Sequence, residues 1–68
     1  MKRPMRDIIV DVIGRRGPIT PKGIAREAMC HVSTVRRHLK VLRDEGLVGR
    51  EVHWLSQFAH TWLYFLKE

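Results

Sequence analysis

The residues best equipped for chemistry are Ser33, Thr34, Arg36, Arg37, Lys40 and Arg43, gathered in the stretch VSTVRRHLKVLRDEG with no acid among them until Asp44. Arginine presents a planar fork of donors, and lysine a compact charge on a flexible stem. Such a run offers hydrogen bonds to phosphate oxygens and to paired acceptors on base edges, not proton transfer. The parts of an enzyme do not stand out: no carboxylate pair, no Gly-rich phosphate loop, no Ser or Cys nucleophile with a base and an orienting group. Four histidines raise a metal reading, through Cys30-His31 with His38 or through His53 with His60. No Cys-x-x-Cys or His-x-x-x-His spacing supports it, and adjacent residues rarely ligate one ion together. The expectation is a binding protein with no enzymatic activity, no metal and no cofactor.

The whole chain is basic as well. Its 68 residues hold 13 Lys and Arg against 7 Asp and Glu, for a net charge of +6 and a pI near 10.5. That excess for so short a chain points to a polyanionic partner. The charge is spread unevenly: residues 1–17 carry +3, residues 18–31 +1, residues 32–46 +2, and residues 47–68 are neutral. A hydrophobic content of 44% suits a soluble globular domain, and the length suits one domain over residues 1–68. A domain of this size buries only about 60% of its unfolded surface, so its net stability is roughly 3–5 kcal/mol. The lone Cys30 reads as a small buried hydrophobe in a reducing compartment. The apolar run Trp62 to Leu66 falls far short of the ~20 residues of a membrane span, and Asp7 and Asp11 interrupt any signal-peptide core. The expected location is the cytoplasm.

The elements that must position these side chains follow from periodicity. Met5, Ile8, Ile9, Val12 and Ile13 repeat as one face of a helix from about Pro4 to Arg16, stopped by Gly17-Pro18. Ile19 stands alone as a short extended piece. Thr20-Pro21 is a cap followed by a first-turn proline, opening a short second helix that ends near Met29 and turns Ile24, Ala25 and Ala28 inward. A third helix begins at His31 or Val32 and runs to Glu45, with Gly46 as its stop. Val35, Leu39 and Leu42 share its apolar face, His38 lies beside them, and Ser33, Arg36, Arg37 and Lys40 share the opposite face. The remainder reads as a β-hairpin with a loop around Leu55 to His60, against a rival fourth helix from Leu55 to Lys67. β-Branched and aromatic content favours the strands. The fold class is α+β, mainly α.

The stretch ITPKGIAREAMCHVSTVRRHLKVLRDEGLV, residues 19–48, resembles the helix-turn-helix of winged-helix DNA-binding proteins. With a helix before it and a hairpin after it, the order helix, short strand, helix, helix, two-stranded hairpin fits that plan. The order and the closing Tyr64-Phe65-Leu66-Lys67 are similar to small stand-alone fimbrial phase-variation regulators. The resemblance implies a sequence-specific regulator of transcription that binds double-stranded DNA and sits with the nucleoid. Its recognition helix, about residues 32–45, would enter a major groove ~12 Å wide. Ser33, Thr34, Arg36 and Arg37 would then read bases, because the N-terminal part of such a helix reaches deepest. Lys40 and Arg43 would hold phosphates, with Lys22 near the start of helix 2 and Arg50 in the wing. Lys2, Arg3 and Arg6 form either a phosphate-binding arm or a solubilising terminus.

The chain departs from the family pattern in three places. Met29 stands where the turn between helices 2 and 3 usually has Gly, which implies about 1 kcal/mol of strain or a different turn. His31 occupies a position usually held by a better cap. The wing lacks an Arg- or Lys-rich tip, and only Arg50, His53 and His60 offer positive charge there. Trp54, Trp62, Tyr64 and Phe65 are expected to pack mostly on helix 1, with about half facing out through strand alternation and Phe58 at the loop tip. An aromatic patch of this kind suits a homodimer or a larger regulatory protein. The alternative function is thus a protein-interaction winged helix, an adaptor docking its aromatic segment on a larger regulator or replication protein. Stacking on single-stranded nucleic acid needs basic residues among the aromatics, and residues 47–68 are neutral.

Overall fold

A computed structural model describes residues 3–67 as three helices and a hairpin: α1 (Met5–Arg16), α2 (Pro21–Ala28), α3 (Val32–Asp44), β1 (Val48–Ser56) and β2 (Ala59–Leu66). Each helix boundary has a local cause. Pro4 caps α1, whose first turn holds Asp7 and whose last turn holds Arg15 and Arg16, signs that favour the helix dipole. Thr20 Oγ1 accepts the Gly23 N–H at 3.1 Å to open α2. The α3 cap corrects the sequence reading of a poor cap at His31. Its ring Nδ1 accepts the Ser33 N–H at 3.1 Å, as a Ser or Asp oxygen would. At the far end Gly46, with φ +78°, sends its N–H to Arg43, and Leu47 sends its own to Leu42. Those two bonds satisfy carbonyls that the helix leaves open.

α2 ends the same way at Met29, which adopts the left-handed conformation with φ 56°. The Met29 N–H reaches Arg26 and the Cys30 N–H reaches Ala25. The turn therefore keeps the common geometry with a residue ill suited to it. Nothing around Met29 offsets the strain, since its side chain is 92% exposed.

The core is a single apolar cluster. Ile9, Val12 and Ile13 from α1 meet Ile24 and Ala25 of α2 and Val35, Leu39 and Leu42 of α3, closed by Val48 and Tyr64 of the hairpin. Among the described residues no polar or charged side chain is buried with it. Cys30 lies half-buried at its edge. Full burial of one such aliphatic side chain stabilises by about 1.5–3 kcal/mol, so every member matters in a domain this small. No helix among the described residues is long and apolar enough to cross a membrane.

The C-terminal third is an antiparallel hairpin, and the rival fourth helix is excluded. Strand pairing runs from Val48↔Leu66 to Trp54↔His60 and closes at Ser56↔Ala59 around Gln57 and Phe58. The expected loop from Leu55 to His60 is therefore too long. The residues on either side of the turn are already paired, with a bulge between Trp54 and Ser56. Ser56 Oγ accepts the Phe58 N–H at 3.2 Å and tightens the turn. Ile19 forms an isolated bridge with Tyr64, the short extended piece that the sequence indicates. Of the aromatics expected on α1, Tyr64 is buried and Trp62 and Phe65 are half-buried. Trp54 is 60% exposed, because the hairpin outruns the three helices and carries the molecule to a length of 45 Å.

Candidate nucleic-acid interface

The apolar stripe of α3 is buried, which fixes the rotation of the helix and turns its other face outward. Ser33, Arg36, Arg37 and Lys40 are exposed there, and Thr34 is half-buried. Ser33 is also engaged locally, its Oγ 2.8 Å from His31 Nδ1. The Thr34 carbonyl accepts from His38 Nδ1 at 2.9 Å, which holds that half-buried ring against its own helix.

The distribution of ion pairs sorts the cations into two groups. Arg15 and Arg3 reach Asp11 at 3.2 and 3.9 Å, Arg6 reaches Glu45 at 2.5 Å, and Arg16 reaches Glu27 at 2.6 Å. The hydrogen bond that Arg6 donates to Glu45 raises its already high pKa. All four arginines belong to α1 or its lead-in, so Arg3 and Arg6 of the expected N-terminal arm lie against acids. Lys2, the third member of that arm, falls outside the described residues. Among the described residues none of these ion pairs involves Lys22, Arg26, Arg36, Arg37, Lys40, Arg43, Arg50 or Lys67. The cations outside these pairs thus lie on α2, α3 and the hairpin.

Five of those cations line one open groove of about 1060 Å³ between α3, the start of α2 and the hairpin. They are Lys22, Arg36, Lys40, Arg43 and Arg50, and among the described residues the single acid in this lining is Asp44. All four residues expected to hold phosphates are brought together here with Arg36. Ser33, Thr34 and Arg37 are not part of the groove lining. Sequence reasoning missed the hairpin's share of this groove, which includes His60, Thr61 and Trp62. The Arg50 guanidinium lies 4.0 Å over the Trp62 ring, so a base on one strand is positioned by an aromatic on the other. The strand register is the signal that would have found it, because Arg50↔Tyr64 and Val52↔Trp62 put Arg50 and Trp62 on one face.

Comparison with known proteins agrees with this architecture. A family model described as a helix-turn-helix domain matches residues 6–50, which covers α1, α2, α3 and the start of β1. The crystal structure of Streptococcus pneumoniae FabT in complex with DNA superposes on the whole chain with a TM-score of 0.79 at 24% sequence identity. This chain spans 46% of that one, so the likeness concerns the fold of one part of it. No curated protein matches the sequence. The chain belongs to the helix-turn-helix domain family, and it carries that motif in a winged-helix fold.

Proposed function

We propose that this protein binds double-stranded DNA sequence-specifically and regulates transcription, with α3 lying in the major groove. The observation that carries this reading is the sorting of charge. Asp11, Glu27 and Glu45 pair with the arginines of α1 and its lead-in, and five of the cations outside these pairs line one groove beside the free face of α3. Ser33, Thr34, Arg36 and Arg37 read base edges, and an arginine contacting guanine O6 and N7 together discriminates by about 1–3 kcal/mol. Lys22, Lys40, Arg43 and Arg50 grip phosphates and set the register without reading sequence. The DNA held by FabT in its crystal structure supports the choice of DNA as the partner.

The test compares two variants on a panel of duplexes. Arg37→Ala relaxes preference at one position of the preferred site, whereas Lys40→Ala weakens binding about equally on all sequences. Unchanged affinity and preference in Arg37→Ala would contradict this placement of the reading face. A second reading, an adaptor that docks its wing on a larger regulator or replication protein, is favoured by the exposure of Leu55 and Phe58 at the hairpin tip. It requires weak, sequence-blind duplex binding by both forms.

A further inference from the structure

The duplex reading leaves the hairpin's ring ladder unused. Along one face of the hairpin stand Arg50, Trp62, His60 and Trp54, placed there by the pairs Arg50↔Tyr64, Val52↔Trp62 and Trp54↔His60. At its base this face belongs to the core, through Val48 and Tyr64. Further out it leaves the body and is covered by nothing among the described residues. Trp54 and His60 meet with centroids 5.0 Å apart at 54°, and His60 and Trp62 at 5.9 Å and 90°. A flat stack would hide more ring surface from a ligand than these tilted contacts do. Arg50 covers one face of Trp62, and Trp54 at the outer end of the ladder is 60% exposed.

The cations that the neutral segment 47–68 lacks are supplied by other elements. Lys22 from α2 and Arg36, Lys40 and Arg43 from α3 line the same groove as His60 and Trp62. Rings beside a basic floor form the arrangement that holds a single strand, with phosphates on the cations and bases on the ring faces. A duplex cannot use such rings fully, because its bases are already stacked on one another.

We propose that the groove face of the wing binds single-stranded nucleic acid, with Trp54 and His60 stacking on unpaired bases while Lys22, Lys40, Arg43 and Arg50 hold the phosphates. The inference shares its phosphate grip with the duplex reading and differs from it in Trp54.

The experiment titrates the full chain with oligothymidylate of about twelve nucleotides, within the usual site size for such grooves. The comparison strands are oligouridylate and an abasic strand of equal phosphate count, followed by tryptophan fluorescence and anisotropy. Oligothymidylate is expected to quench the fluorescence and to bind about tenfold tighter than the abasic strand. Equal binding of oligouridylate would place the recognition in the base rings of any single strand, and weaker binding would assign the site to DNA. Trp54→Ala is expected to erase the advantage over the abasic strand, and Trp54→Phe to keep most of it. Equal affinity of the unaltered chain for oligothymidylate and the abasic strand overturns the proposal, whether or not Trp54→Ala folds. So does a full advantage retained by a folded Trp54→Ala. Failure of the duplex reading shows separately, in Arg37→Ala on duplexes.

Discussion

The main chain of Ile19 is bound to that of Tyr64 in both directions, with the Tyr64 N–H reaching Ile19 O at 2.8 Å and the Ile19 N–H reaching Tyr64 O at 3.0 Å. This single bridge ties the connector between α1 and α2 to the middle of β2. Tyr64 is itself in the core, so the bridge fixes the angle at which the wing leaves the helices. The width of the basic groove between α3 and the wing depends on that angle.

Gly17 lies beside the bridge. A Cβ there would stand 2.5 Å from Ile13 O and 3.2 Å from Tyr64 O, both backbone atoms that cannot swing aside. Gly17→Ala is therefore expected to lower stability by about 1–3 kcal/mol. In a domain of this size that is a fall in melting temperature of roughly 4–8 °C per kcal/mol, read by circular dichroism. An unchanged melting temperature would mean that the wing attachment is looser than described.

Met29 gives the opposite prediction. Its left-handed backbone costs a non-glycine residue about 1–2 kcal/mol, and its exposed side chain contributes no burial in return. Met29→Gly is expected to stabilise by about 1 kcal/mol, less the entropy glycine adds to the unfolded chain. Thermal melts of the two forms side by side check the sign.

His31→Ala removes the acceptor of the Ser33 N–H and is expected to cost about 0.5–2 kcal/mol. The same change releases the Ser33 hydroxyl from the His31 ring. Hydrogen exchange at the first turn of α3 should rise well before the rest of the helix, which separates loss of a cap from general weakening.

Leu39, 1% exposed, sits in the core at the centre of the α3 stripe. Leu39→Ala is expected to cost about 2–5 kcal/mol. That is comparable to the whole stability of such a domain, so loss of the folded signal at room temperature is the expected result.

Much of this architecture is legible in the sequence, and the exceptions have identifiable causes. The helices were readable because their apolar residues repeat at helical spacing and their ends carry Pro4, Thr20-Pro21 and Gly46, each with a specific backbone role. The outward face of α3 followed from the burial of Val35, Leu39 and Leu42. The His31 cap is not legible from residue type, because here a ring nitrogen two residues before an open N–H does the work of a carboxylate or hydroxyl oxygen. The turn at Gln57 and Phe58 lacks the Gly or Asn that usually marks so tight a connection, so the sequence does not show how short the loop is. With the register unknown, the placement of Arg50 over Trp62 and the aromatic side of the groove could not be read. The pairing of acids with the arginines of α1 and its lead-in was equally hidden, because Arg6 with Glu45 and Arg16 with Glu27 join distant segments.

The most direct test of the central claim is selection of bound sequences from a random duplex pool at two salt concentrations. Base reading from α3 predicts an enriched motif that survives the higher salt. Four phosphate-holding residues predict an affinity whose logarithm falls with log salt by about 0.9 for each contact, and a slope reduced by about one in Lys40→Ala. No enriched motif, with binding that vanishes as salt rises, would contradict sequence-specific recognition and reduce the basic groove to a phosphate grip.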